Sequence, residues 1–210
     1  FQLGMWATLM DRSGKVCYVY SVDADGVDAG ASNGGILASN TAWLGSRVIS
    51  AQKANTANAF SLDELALSSG YISATVYPGG SLYGLQHSNP VDTNVAYAGD
   101  ATKYGTSLDP LVGTRPGGVN VFGGGVALYD GGGSKLGAVG VSGDTSCRDH
   151  AMAYRLRIAL ALNNQPNDDG LVLSASQPNA LGEAPACGVT DPTTNAADDT
   201  ANDFGWRADL

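Results

Sequence analysis

Two glycine corners constrain most strongly what this chain can fold into. Residues 5–12 and 15–22 are rich in β-branched and aromatic side chains and flank Ser13-Gly14. Residues 119–130 and 136–142 flank Gly131-Gly132-Gly133 in the same way. Runs of this kind around a short glycine turn are β-hairpins, so two antiparallel pairs are expected. Between them the period changes. Over residues 41–60, Leu44, Val48, Ala51 and Asn55 recur at helical spacing, and Ala54, Ala57 and Ala59 offer a small-residue face for close packing. Ser61-Leu62-Asp63-Glu64 matches a capping box, which predicts a second short helix to Ser69 that stops at Gly70. Residues 71–77 alternate as a strand does and end at Pro78-Gly79-Gly80.

Residues 81–118 hold many turn formers and no sustained period. Connections of that length usually carry function or subunit contacts. Asp144, Thr145 or Ser146 can cap a last helix running to about Leu162, with Met152, Leu156, Ala159 and Leu160 on its apolar side and Asp149 at its positive end. The order hairpin, helix pair, strand, long loop, hairpin, helix predicts an α+β domain over residues 1–162, with antiparallel strands and segregated helices. Residues 163–210 form a polar extension rich in Pro, Asn and Asp, whose ordering would need the domain surface, a disulfide at Cys187, a cation or a neighbouring subunit.

Composition narrows the partners. The formal net charge is −9, and Glu64 and Glu183 are the only glutamates among the 20 acidic residues. Such a surface repels nucleic acid and anionic lipid. The most apolar helical stretch, residues 158–162, is bounded by Arg155, Arg157 and Asn163 and is far too short to span a bilayer. A chain that opens at Phe1, uses only four lysines and has loops crowded with Asn, Asp, Gly, Ser and Thr is expected to be secreted, to an extracellular or periplasmic space, after N-terminal processing. Cys17, Cys147 and Cys187 permit one disulfide by any of three pairings.

Several motifs carry chemistry only in part. Gly140-Val141-Ser142-Gly143 suggests a nucleophile elbow, but Asp144 stands where the second glycine is needed. The glycine block 123–143 lacks the Gly-Lys-Ser/Thr ending of a phosphate loop and the βαβ setting of a dinucleotide site. The turn at Ser142-Gly143 into a helix offers backbone donors for a small anion. Asp23, Asp25 and Asp28 around Gly26 resemble part of a calcium loop without its bidentate glutamate, and Asp198, Asp199 and Asp203 form a second acidic cluster. No Cys-x-x-Cys or His-x-x-x-His pair points to zinc.

Together, Asp11-Arg12-Ser13-Gly14-Lys15, Lys53-Ala54-Asn55-Thr56-Ala57 with Phe60, Gly123-Gly124-Gly125-Val126, and Gly137-Ala138-Val139-Gly140-Val141-Ser142-Gly143 followed by Asp149, Ala151 and Ala153 resemble the haem-binding, haem-degrading HbpS/GlcG family. The resemblance covers residues 5–162. It implies a profilin-like α+β domain with a five-stranded antiparallel sheet and packed helices, assembly into homo-oligomers, secretion in some members and haem as cofactor, with iron release or redox sensing in some. The chain departs from the pattern: it begins at the first strand without the family's N-terminal helix, which is expected either upstream of Phe1 or replaced by another subunit's surface. Its loops at 23–40 and 84–117 look enlarged, and residues after 163 have no family counterpart.

Haem needs an axial donor and partners for its propionates. The resemblance implies His87 or His150 as axial ligand, with Met152 behind them. It makes Lys53, Arg47 and Arg148 the propionate cations, with backbone donors at Ser142 and Gly143. The Lys53 segment reads equally as a packing surface. The rival readings are a cofactor-free structural subunit of an extracellular homo-oligomer or filament, and a small-anion module at the glycine turn. The reading leans to binding over catalysis.

Overall fold

A computed structural model describes residues 3–22, 42–76 and 78–169. Asp23, Asp25, Asp28, Cys187, Asp198, Asp199 and Asp203 lie outside them. Both hairpins form. Strands β1 (Met5–Asp11) and β2 (Val16–Val22) pair around Ser13-Gly14, and β3 (Gly125–Tyr129) and β4 (Lys135–Ser142) pair around the triple glycine. Gly14 takes φ +75°, a left-handed turn conformation open to glycine at little cost. β1 also pairs antiparallel with β4, giving a sheet in the order β2-β1-β4-β3.

Helix α1 (Gly45–Phe60) covers one face of this sheet. Its Ala51 and Ala54 pack with Trp6 and Met10, on the even side of β1, and with Val16 and Val19 of β2. Helix α4 (Ser146–Ala159) covers the other face, where Ala153, Met152 and Leu156 meet Val126, Leu128, Val139 and Val141. The pleat therefore sends alternate residues into two separate cores. The α1 layer sits very close: a Cβ on Gly140 would stand 2.0 Å from the Ser50 carbonyl oxygen and 2.5 Å from the Ala54 nitrogen. Thr8 and Ser50 share a 2.7 Å hydrogen bond across the same interface.

The α+β class is as expected, but the described sheet has four strands, not five. Residues Tyr71–Thr75 form a 3-10 helix in place of a strand. The Ser68 hydroxyl accepts from the Tyr71 amide and the Thr75 hydroxyl donates to the Ile72 carbonyl, so local bonds use groups a ladder would need. The β3 strand also starts later than position 119. The amides of Asn120, Val121 and Phe122 donate to side chains, those of Thr56, Gln86 and Asn120.

The capping-box helix is absent too. The Ser61 hydroxyl bonds the backbone of Leu67, and Asp63 accepts the amide of Lys135. The Lys135 ammonium in turn caps the end of α1 on the carbonyls of Asn58 and Ser61. The long connection is more ordered than its composition suggests. It holds two single-turn helices, α2 (Leu85–Ser88) and α3 (Thr93–Ala96), and contributes Tyr104 and Leu111 to the α1 core.

α4 ends in a Schellman arrangement. The amide of Leu162 bonds the Arg157 carbonyl and that of Ala161 bonds Ile158, with Ala161 at φ +55°. This reversal turns the chain back, and Asn163 pairs in parallel with Tyr129 on the outer edge of β3. The start of the extension thus packs onto the domain, through Asp169. Cys17 is a free, exposed thiol on β2, so the two disulfide pairings that use it are not made.

Candidate functional site

The residues singled out above do not converge on one surface. Their charges turn inward. Lys53, on the sheet-facing side of α1, donates to Asp149 Oδ2 at 2.7 Å and to the Val141 carbonyl at 3.2 Å. Both side chains are 2% exposed. The pair runs past the start of β3 at a point where a side chain is missing: a Cβ on Gly124 would lie 2.3 Å from Val141 O, 3.0 Å from Asp149 Cβ and 3.1 Å from Lys53 Cδ. Asp149 Oδ1 accepts the amide of Asp144, so the same carboxylate ties α1, β4 and the start of α4 together. Burial raises its pKa to about 6 against the opposing pull of Lys53. Burial likewise lowers that of Lys53, with Asp149 opposing.

Arg47 is also spent internally. Its guanidinium grips Asp109 through Nε at 2.9 Å and through a second nitrogen, donates to the Ala96 carbonyl at 2.8 Å, and lies 3.6 Å from the centre of the Tyr104 ring. It fastens the long connection to α1. Arg148 of α4 pairs with Asp144, in the turn before the helix, at 3.2 Å. These three cations, expected to meet propionates, hold carboxylates of their own chain. The reason lies in helical phase: Arg47 and Lys53 sit among Ala51, Ala54 and Ala57 on the buried side of α1.

The glycine turn is closed as well. A Cβ on Gly143 would meet the Gly4 carbonyl oxygen at 2.4 Å. Ser142 is buried in its pairing with Trp6. Of the amides that follow, that of Asp144 donates to the Asp149 carboxylate, that of Thr145 to the Asp144 side chain and that of Arg148 to the Thr145 hydroxyl. No group of three or more metal-ligating side chains occurs among the described residues.

The two histidines separate sharply. His87 is exposed on α2. His150 is fully buried, and neither ring nitrogen has a hydrogen-bond partner. Buried polar groups are almost always paired, so an imidazole left bare is an exception with a cost of about 1–3 kcal/mol per group. Burial lowers its pKa to about 4, with Asp169 opposing, which keeps the ring neutral with a lone pair available at pH 7. Sequence reasoning did not assign a fourth buried pair. Arg157 donates to both oxygens of Asp169 at 2.8 Å.

A pH dependence follows. The His150 contribution is present above pH 6.5 and is lost as the pH falls through about 4, since only the unfolded ring takes the proton. Asp149 runs oppositely: its contribution is present below its ordinary value of 3.8 and is lost as the pH rises through about 6. The two offset each other over the same window. His150→Leu removes one side of the balance, so its stability relative to the unsubstituted protein should improve by about 3 kcal/mol between pH 7 and pH 4. Urea unfolding across that range checks it; a difference that does not vary with pH would refute the neutral buried ring.

The family model described as haem degrading protein, HbpS-like, matches residues 19–156, which is 138 of the 210 residues. No curated protein matches the chain. Among the solved chains that match are the following two structures. One is PduOC in complex with haem, 21% identical, with a TM-score of 0.51 and coverage of 78% of this chain and 83% of that one. The other is the Klebsiella pneumoniae protein ORFY, 22% identical, with a TM-score of 0.45 and coverage of 77% and 74%.

Proposed function

Because the chain belongs to the HbpS-like family of haem-degrading proteins, we propose that it binds haem and that His150 is the axial donor to the iron. The observation that carries this reading is the fully buried, neutral His150 ring with both nitrogens unpartnered. A packing histidine would hold at least one hydrogen bond; a ligand needs a bare lone pair. The donor therefore fits the group. The expected propionate cations do not, since Arg47, Lys53 and Arg148 are engaged with Asp109, Asp149 and Asp144. When bound, haem supplies the ligand and redox chemistry of its iron, tuned by the axial residue. The chain's own part is to hold the imidazole neutral and dry and to fix its direction through the first turn of α4.

Hemin titration tests this. The full chain should develop a Soret band that His150→Ala removes and His87→Ala leaves intact. An unshifted hemin spectrum, or loss of the band with His87→Ala alone, would overturn the assignment. A secreted setting belongs to the same proposal, supported by the short lysine complement and by loops crowded with Asn, Asp, Gly, Ser and Thr; fractionation of the source cells is the check.

A second reading, a cofactor-free subunit that assembles with its own copies, is favoured by the sheet edge. β2 is an outer strand whose start pairs through Val16 with Gly113 and Thr114, and beyond that point it presents the free Cys17 and a 46% exposed Tyr18. Exposed strand edges are sites of chain-to-chain pairing. Light scattering on haem-free protein decides it, with a monomer counting against.

A further inference from the structure

The His150 ring has no hydrogen bond of its own, so what aims it must be found in the helix that carries it. We propose that Asp149 and Lys53 are positioning residues for His150, a buried ion pair that fixes the start of α4 and with it the direction of the imidazole. The part played toward iron rests on His150 as the haem donor, whereas the orienting contact is tested without haem.

A metal-binding imidazole ordinarily donates its second ring N–H to a carboxylate, a carbonyl or water, and that bond sets the direction of the ring. Neither nitrogen of His150 has such a partner. The direction then depends on packing and on where the backbone of residue 150 stands, four positions into a helix that begins at Ser146. The side-chain cap of that helix is long, with the Arg148 amide 3.4 Å from the Thr145 hydroxyl. Asp149 makes shorter bonds and carries them to other elements. Its Oδ1 accepts the Asp144 amide at 2.9 Å, and its Oδ2 accepts from the Lys53 ammonium at 2.7 Å. Lys53 also donates to the Val141 carbonyl at 3.2 Å, so one cation joins α1, β4 and α4.

The fit around the pair is close. Gly124, at φ +124°, leaves the space it occupies: a Cβ there would stand 3.0 Å from Asp149 Cβ and 3.1 Å from Lys53 Cδ. Two buried charges in contact tolerate little displacement, because separating them leaves each without a partner away from water. Residues 149 and 150 are adjacent in the chain. Whatever holds Asp149 in place therefore holds the backbone from which the imidazole projects.

The chain has two histidines, so imidazole nitrogen NMR of the 15N-labelled full chain reads His150 directly, with exposed His87 as the internal reference. Without haem, His150 should give one sharp set of ring signals. Lys53→Met with Asp149→Leu removes the pair without stranding a charge, and it should split or broaden that set while His87 stays unmoved. Lys53→Met with Asp149→Asn keeps an acceptor for the Asp144 amide and decides the matter if the first variant does not fold. A His150 set unchanged in a folded variant would overturn the positioning role.

Hemin titration of the same variants reads the part played toward iron. Removing the pair should weaken hemin binding about tenfold or more. That loss should vanish in a His150→Ala background, where a merely structural effect on the residual binding would persist. Hemin binding undiminished without the pair, or a loss that persists without His150, overturns the part toward iron. Disturbed ring signals with no His150-dependent Soret band in the unsubstituted protein remove the haem reading and leave the orienting contact standing.

Discussion

Lys53→Met is expected to cost about 3–5 kcal/mol at pH 7, a large share of the roughly 5–15 kcal/mol that holds a domain folded. The substitution keeps the stem volume and removes only the charge, stranding the Asp149 carboxylate 2% exposed beside Val141 and Gly124. The loss should shrink at pH 5, because a carboxyl already raised to about 6 then takes a proton and no longer needs a cation. The double substitution Lys53→Met with Asp149→Leu should recover most of the deficit, since a buried ion pair exchanged for apolar groups of similar size is often neutral or better. Urea midpoints for the two variants at both pH values make the comparison. An unchanged midpoint for Lys53→Met would show that the pair is solvated and contributes nothing.

Gly140→Ala should be comparably damaging, at about 3 kcal/mol or more, through a different cause. The added methyl would arrive 2.0 Å from the Ser50 carbonyl and 2.5 Å from the Ala54 nitrogen. Both obstacles are helix backbone, so no side chain can rotate aside. Relief needs α1 to move off the sheet, which disturbs the Thr8–Ser50 hydrogen bond and the Ala51 and Ala54 contacts together. Thermal unfolding measures the loss. A melting temperature within a degree or two of the parent would mean that the helix stands further from β4 than described.

The hairpins were legible because their turn chemistry is local: Ser13-Gly14 and Gly131-Gly132-Gly133 announce themselves in a few residues. The spans of α1 and α4 were legible for the same reason, from period and from Thr145 as cap. The stretch at Tyr71–Thr75 was not. Alternation alone cannot tell a strand from a 3-10 turn when Ser68 and Thr75 supply competing local bonds. At the site, His150 stood out as one of only two histidines, but its burial depends on residues distant in sequence. Lys53 and Arg47 read as ligands for an anion because cations are scarce. Their true partners, Asp149 and Asp109, are 96 and 62 residues away. A usable signal did exist in their helical phase, which places both among the alanines that face the sheet. Arg157 with Asp169 had no such signal, since the latter sits in a segment whose composition reads as a tail.

Those sequence separations bear on how the chain is made. A ribosome delivers α1 with two cations on its inner face long before it delivers their counter-charges. Arg47 waits for Asp109, and Lys53 waits until the strand pair β3–β4 is complete and α4 has begun. During synthesis the helix cannot dock on β1 without burying uncompensated charge. The core between α1 and the sheet is therefore expected to close late, with a nascent chain arrested before Asp149 emerges leaving the first hairpin and α1 unassembled.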